Sequence, residues 1–404
     1  MREDFRPHLT WIDAQLPMLR DAVLRLANRN SGSLNAAGVR AVAEEMLAYF
    51  APLGCTHEWI DVAPLRTTAD DGRLCETPLG PALRLRQRPE APLQIFLGGH
   101  LDTVFAPEHP FQHARQEDED TLHGPGVADL KGGLMVMWAA LAALERSPWR
   151  AHIGWEVLLN PDEEVGSQGS DPLLREAAAR HHFGLIFEPA LPDGSLASAR
   201  KGSGNFDVIV HGRAAHAGRN PEAGRNALCA AAGIIQAIDR LNGQREGVTF
   251  NPGYAHGGGA LNVVPDLCVF KFNVRTAHPD DAAWVQTRLE TLLAQSQRDG
   301  IRITLRGGFT RPPKIVDAHH RRLMDLLADC GQRLGTPLTF KPTGGCCDGN
   351  NLAAYGLPNV DNLGVVGRDI HSDQERMRIS SLTERAKICA LLLLRLASGE
   401  LCWN

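Results

Sequence analysis

No two cysteines in the chain stand in C-x-x-C spacing, and the nine that are present form an odd, scattered set from Cys55 to Cys402. That argues against a disulfide framework and for a reducing compartment. Neither sign of charge is in marked excess: 42 Lys and Arg against 47 Asp and Glu leave a net charge of -5, which recruits neither nucleic acid nor an acidic membrane surface. No apolar run approaches the ~20 residues that a membrane-spanning helix needs. The opening residues carry Arg2, Glu3, Asp4, Arg6 and Asp13 and hold no apolar stretch of signal-peptide length, so a cytoplasmic protein is expected. Internal repeats and low-complexity tracts are missing as well.

What is present is the ordinary composition of a globular chain, 43% hydrophobic and 22% charged over 404 residues. That length is too great for one ordinary core and points to two or three domains. Amphipathic helices are expected over 9–28 and 36–50, where apolar residues recur at helical spacing. Strand-like runs follow at 56–62, 82–85 and 93–97, then an apolar helix at 132–144, strands at 153–159 and 183–187, and a helix near 172–180 between them. Strands alternating with helices indicate an α/β layer, a mostly parallel sheet flanked by helices. Around Lys201 the character changes. Strands at 205–210, 257–261, 268–274 and 301–305, with helices at 226–241 and 284–297, make a smaller α/β sandwich of their own. After Pro312-Pro313 the chain returns to a helix at 319–334, a glycine-rich loop from Gly344 to Asn350, a strand near 360–364 and a closing helix at 383–396. The sandwich is therefore an insertion.

The residues with chemistry sit where the strands of the first layer end. Gly98-Gly99 closes an apolar run just before His100, and Asp102 follows two positions on. In an extended chain both point to one side, as a metal-binding imidazole and its supporting carboxylate do. A lone histidine at a strand end is ordinarily solvated or bonded to the backbone. Four later stretches change that reading: Asp129 in Gly124-Pro125-Gly126-Val127-Ala128-Asp129, the pair Glu163-Glu164 directly after a strand, Glu188 after the next, and His371 in Arg368-Asp369-Ile370-His371-Ser372. Open α/β sheets place their sites at the carboxyl ends of successive strands. Two histidines with three or more carboxylates suit zinc, and equally manganese or cobalt. One catalytic zinc takes about three protein ligands. Five point to two ions sharing one, and Asp129, with two oxygens, is the natural bridge. The charges then balance, two divalent cations against Asp129, Glu164, Glu188 and one hydroxide. Glu163, whose side chain diverges from that of its neighbour, is left free to take a proton from a water that attacks an amide carbonyl. The adjacent Cys346-Cys347 pair reads as buried free thiols, since neighbouring side chains diverge.

These stretches, with Gly99-His100-Leu101-Asp102-Thr103-Val104 and Asn160-Pro161-Asp162-Glu163-Glu164-Val165-Gly166-Ser167 foremost, resemble the motifs of the dinuclear zinc metallopeptidase and deacylase family. That family includes bacterial glutamate carboxypeptidase, acetylornithine deacetylase, succinyl-diaminopimelate desuccinylase and aminoacylase, and the resemblance spans nearly the whole chain. It implies a zinc-exopeptidase-like catalytic domain in two parts, 1–201 and 313–404, and a lid and dimerisation domain at 202–312 that would join two copies into a homodimer. It implies further that one zinc is held by His100 and Glu188 and the other by Glu164 and His371, with Asp129 between them, Asp102 orienting the site and Glu163 as general base. His216, in Gly212-Arg213-Ala214-Ala215-His216-Ala217-Gly218, matches the family loop whose histidine reaches the reacting carbonyl, often across the dimer interface, a sensible donor for a developing oxyanion. Asn262 and Arg275 fall on similar lid positions. Glu188, in place of an aspartate, resembles the carboxypeptidase and deacylase branches more than the aminotripeptidase and carnosine-dipeptidase branches. The opening helices with Asn28-Arg29-Asn30-Ser31-Gly32-Ser33 resemble the glutamate carboxypeptidase branch. A substrate carboxylate needs a cationic clamp, for which Arg275, Arg311 and Lys201 are candidates. Where the family commonly carries serine or threonine this chain has Cys347, a weaker hydrogen-bond donor.

The expected activity is metal-dependent hydrolysis of the amide bond of an N-acyl amino acid or short peptide, by a glutamate-carboxypeptidase-like exopeptidase. An N-acyl amino acid deacylase of the acetylornithine deacetylase kind is the alternative. A two-metal phosphoesterase shares carboxylate-rich sites, but the motifs oppose it. A non-catalytic metal-binding descendant would usually have lost the base or a ligand, and here Glu163 and all five ligand positions remain.

Overall fold

The computed structural model describes residues 3–403; Met1, Arg2 and Asn404, at the outer ends of the blocks 1–201 and 313–404, lie outside the described residues. The first layer is a six-stranded sheet in the order Thr56–Ile60, Ala82–Gln87, Ile153–Asn160, Leu93–His100, Phe183–Ile186, Asn359–Val360. All but Ala82–Gln87 run the same way, and the three pairings on the side of Leu93–His100 are parallel. A parallel sheet covered on both faces has near-continuous apolar strands, and every residue of Ile153–Asn160 is buried. Alternate side chains serve opposite faces. Leu97 and Val157 face the larger core with the helices Gly133–Glu145 and Ser381–Ala397, while Phe96, Leu158 and Ile186 face a smaller one closed by Asp171–Arg180 and Asp348–Ala354.

Some expected elements shift. The opening helical stretch is two helices, Arg6–Ala14 and Leu16–Ala27, parted at Gln15, and Pro17 sits in the first turn of the second, where its missing N–H has no bond to lose. Val127–Glu145 departs from the expectation that no apolar run is long enough to cross a membrane: the helix spans 19 residues, and its most apolar window reaches a mean hydropathy of 1.5 despite Asp129 and Lys131. Its most apolar window is 94% buried within the fold, so it serves as the central core helix.

Between Gly202 and Arg311 a four-stranded antiparallel sheet runs in the order Thr249–Gly257, Leu267–Thr276, Gly202–His211, Arg302–Arg311. It carries the helices Ala227–Asp239 and Asp281–Ser296 and closes its own core around Phe206, Ile234, Phe270 and Leu289. The strand expected at 257–261 lies at Thr249–Gly257 instead, in register with Leu267–Thr276. Gly258 ends it in left-handed backbone (φ +92), and Leu261 beyond it is fully exposed. A hairpin of the first block, Leu65–Thr68 with Leu74–Thr77, leans on this domain: Lys271 Nζ donates to Thr68 O at 2.7 Å and Arg306 Nη1 to Gly72 O at 2.9 Å.

Candidate metal centre

His100 is the last residue of its strand, and Glu163-Glu164 and Glu188 follow on the strands to either side. Three segments bearing candidate ligands thus leave the same edge of the sheet. Asp129 sits in the bend before Gly133–Glu145, where it and Leu130 depart from helical geometry across a cis peptide bond. His371 arrives from the C-terminal block on a turn in which it and Asp369 take left-handed backbone, φ +63 and +55. In residues other than glycine that conformation costs of order 1–3 kcal/mol and collects at functional sites.

Asp129 is the meeting point. Its Oδ1 lies 3.1 Å from His100 Nε2 and its Oδ2 3.2 Å from His371 Nε2. His371 Nε2 is also 3.2 Å from Glu164 Oε2, and His100 Nε2 is 3.8 Å from Glu188 Oε2. Ligand atoms of His100, Asp129 and Glu164 all fall within 4.8 Å of one another. His100, Asp129 and Glu188 are buried, whereas the side chain of His371 is 51% exposed and opens the site to solvent. Burial, with Asp129 adding to it, pushes the Glu164 carboxyl up to about 7, and burial raises Glu188. Burial works to lower His100, yet Asp102, Asp129 and Glu188 outweigh it and hold the imidazole well above its ordinary value. Donating to Asp129 and Glu164 pushes His371 up to about 11. Buried carboxylates that draw protons onto their imidazoles attract cations of any kind, and this donor set of imidazole nitrogen and carboxylate oxygen suits zinc, manganese or cobalt. The residues fit divalent metal ions.

Asp102 supports the site in two directions. The nearest acceptor to His100 Nδ1 is its backbone carbonyl at 2.9 Å, with the carboxylate Oδ1 at 3.3 Å. The carboxylate caps the next turn, accepting from the backbone N–H of Glu163 and of Glu164, each at 3.2 Å, and from Ser33 Oγ at 2.7 Å. From that turn the two glutamates diverge, Glu164 toward His371 and Glu163 toward Arg311 Nη2 at 2.6 Å. Burial pushes the Glu163 carboxyl well above the usual carboxylate range, although Arg311 pulls against it.

Two contributions are invisible in the motifs. Glu375 is buried, and its carboxylate accepts from the backbone N–H groups of Gly126, Ala128 and Asp129 at 3.0, 2.9 and 3.0 Å, seating the loop that carries Asp129. In a polar run four positions after His371, nothing but that spacing could have suggested it. Near Glu188, Arg200 Nε and Lys314 Nζ lie 2.9 and 2.8 Å from Asp361 Oδ2, all three residues buried. Burial acts to raise Asp361, but the two cations hold it down at about 2. Cys347 is buried too, its Sγ 3.7 Å from the same Asp361 oxygen, and burial pushes its thiol well up.

A cavity of about 320 Å³ opens beside Asp129, Glu163 and Glu188, with Arg200, Cys346 and Arg368 in its wall. Among the expected clamps, Arg275 reaches its edge, with Nη1 3.1 Å from Cys346 Sγ. Lys201 stands half-buried just past the strand Leu196–Arg200, and it is Arg200, one step earlier and so on the opposite face, that lines the cavity. The Arg311 guanidinium is buried and divided between Glu163 and Asp348. His216 and Asn262 sit side by side on the inserted domain, where His216 bridges to Val263 and Ala217 N donates to Asn262 O at 2.9 Å. Neither is among the described residues that line the cavity within one chain.

Residues 96–395 match the family model of peptidase family M20/M25/M40, a span that holds every candidate ligand from His100 to His371. Carboxypeptidase G2 of Pseudomonas sp. (strain RS-16) is 30% identical over 312 residues, 76% of this chain and 74% of that protein. Succinyl-diaminopimelate desuccinylase of Halorhodospira halophila is 29% identical over 320 residues, 72% of this chain and 80% of that protein. Among solved structures the Saccharomyces cerevisiae di-peptidase Dug1p is similar with a TM-score of 0.76 at 14% identity, covering 98% of this chain and 99% of that one, a likeness of fold alone. Motif, matched span and fold converge: the chain belongs to peptidase family M20/M25/M40 and is a hydrolytic enzyme of the metallopeptidase class.

Proposed function

We propose that the chain is an exopeptidase of carboxypeptidase type, hydrolysing the amide bond of an N-acyl amino acid or short peptide with two divalent cations, zinc first and cobalt or manganese as substitutes. Asp129 carries the reading: one carboxylate whose two oxygens face two different imidazoles, as a ligand shared by two ions must. His100 and Glu188 would hold one ion, Glu164 and His371 the other. When bound, the ions supply Lewis acidity and an activated water. Glu163 stands beside them with its Oε1 held by Arg311, takes the proton of the attacking water and returns it to the leaving amine. Burial raises its proton affinity, as suits a group that must take up a proton. Asp102 keeps base and ligand in step by capping both of their N–H groups.

Arg275 at the cavity edge takes the substrate's C-terminal carboxylate. In a homodimer joined through the inserted domains, His216 and Asn262 enter the pocket of the second copy, His216 donating to the oxygen of the reacting carbonyl. Leu261, Val263 and Leu228, all exposed close to Asn262 or on the neighbouring helix, offer an apolar face for that pairing.

A panel of N-acyl-glutamates, dipeptides and N-acetyl amino acids, assayed with and without chelator, tests the reading. Chelator-sensitive release of the C-terminal residue is expected. Turnover of N-acetyl substrates alone would make the chain a deacylase. Fewer than two equivalents of bound metal, with no chelator-sensitive hydrolysis, would make it a non-catalytic metal-binding protein.

A further inference from the structure

Arg311 ends the strand Arg302–Arg311, the point at which the chain leaves the inserted domain for Pro312-Pro313 and the C-terminal block. It is only 3% exposed, and its guanidinium reaches into the catalytic block. Nη2 donates to Glu163 Oε1 at 2.6 Å, to the Glu163 carbonyl at 3.0 Å and to Ser167 Oγ at 3.0 Å. Nη1 donates to Asp348 Oδ1 at 2.8 Å and to Asn351 Oδ1 at 3.2 Å. With five acceptors around it, a substrate carboxylate could use this guanidinium only by displacing a buried ion pair.

The arrangement does something else well. A planar fork fixes the direction of the carboxylate it binds, which a flexible ammonium does not. Glu163 is thereby held from two sides. Its N–H is bonded to Asp102 on the sheet side at 3.2 Å, and its carbonyl and carboxylate are bonded to Arg311 on the side of the inserted domain. Just before Arg311 the strand departs from regular geometry at Gly307 and Gly308, φ +89 and +157, and its register against Gly202–His211 shifts between Ser203 and Gly204. A bulge at Thr310, between the pairs Gly204–Phe309 and Ser203–Arg311, immediately precedes the residue that delivers the guanidinium to the base.

We propose that Arg311 is a positioning residue that aims the Glu163 carboxylate for proton transfer, and that its place at the exit of the inserted domain ties the seating of that domain to the placement of the base. This rests on Glu163 being the general base. A positioning role puts the loss on kcat, whereas a carboxylate clamp puts it on KM.

The test uses the full-length, metal-loaded enzyme with N-benzoyl-L-glutamate as probe. Arg311→Lys keeps the charge but loses the fork, and kcat is expected to fall about 100-fold at nearly unchanged KM and metal content. In Arg311→Ala, millimolar guanidinium ion, and not methylammonium, should restore kcat about tenfold. Without metal or substrate, amide hydrogen exchange over 163–168 should quicken in Arg311→Lys. Should that variant misfold, Ser167→Ala decides: it removes one acceptor that orients Nη2, and a kcat loss of about fivefold at constant KM supports the role, while wild-type kcat overturns it. Glu163→Gln runs alongside. If it keeps wild-type turnover, the base assignment has failed and the role of Arg311 with it. If it is inactive while Arg311→Lys keeps its kcat or changes only KM, the positioning role alone is overturned.

Discussion

Removing Glu375 should loosen the metals before it disturbs the rest of the fold. Its Oε2 accepts from Gly126 N and its Oε1 from Ala128 N and Asp129 N, and the residue is 1% exposed. A buried N–H left without a partner costs about 1–3 kcal/mol. In Glu375→Gln the remaining oxygen can keep Ala128 and Asp129 while the new amide turns a donor toward the N–H of Gly126, a loss of about 2 kcal/mol. Glu375→Ala strands all three N–H groups, and with water recovering part of the loss it should cost about 4 kcal/mol. Because the cradled segment ends at Asp129, which faces both imidazoles, the damage should reach the site: groups that orient ligands from behind typically matter about 10–100-fold in metal affinity. Zinc affinity by competition with a chelating indicator, and urea unfolding of the metal-free protein, would be measured for wild type and both variants. Wild type should exceed Glu375→Gln, and Glu375→Gln should exceed Glu375→Ala, in both. A Glu375→Ala protein with wild-type zinc affinity and unchanged unfolding refutes the reasoning.

Glu163→Gln should lower kcat by about 10²–10⁴-fold with the metal content intact; loss of the metals in that variant, by elemental analysis, would count against the base. Asp361 has a folded pKa of about 2, below its unfolded value of 3.8, so its pairing with Arg200 and Lys314 contributes fully above the unfolded value and is lost as pH falls through the folded one. That contribution is about 2 kcal/mol; urea unfolding at descending pH should show it in the wild type and not in Asp361→Asn, and parallel curves would contradict it. Leu261→Asp should turn the proposed homodimer into a monomer by sedimentation, because a charge replaces a fully exposed leucine beside Asn262. A variant that still sediments as a dimer would move the interface elsewhere.

The side chains that gather at the candidate metal centre are legible in the sequence because each follows a local signal. His100, Glu163-Glu164 and Glu188 come directly after apolar runs that can only be buried strands, and the sheet then gathers the strand ends. What stays hidden depends on partners far along the chain or on side-chain parity. Nothing near Glu375 announces three backbone donors from 126–129. The choice between Arg200 and Lys201 turns on which face a single residue takes at a strand end. Arg311 reads as a free cation until Glu163 and Asp348, 148 and 37 positions away, are seen to surround it. The strand at Thr249–Gly257 escapes because its pattern is exposed nearly throughout, so alternation has little to report.

Order of synthesis gives the Glu375 cradle a further meaning. A chain emerging from the ribosome releases His100, Asp129 and both glutamates of the catalytic turn long before the residue that seats Asp129, which lies 246 positions downstream. Most strands of the first sheet can pair while that residue is still unmade, but the Asp129 backbone lacks its seat on Glu375 until the tail arrives. If Asp129 bridges two metals as proposed, their loading follows translation.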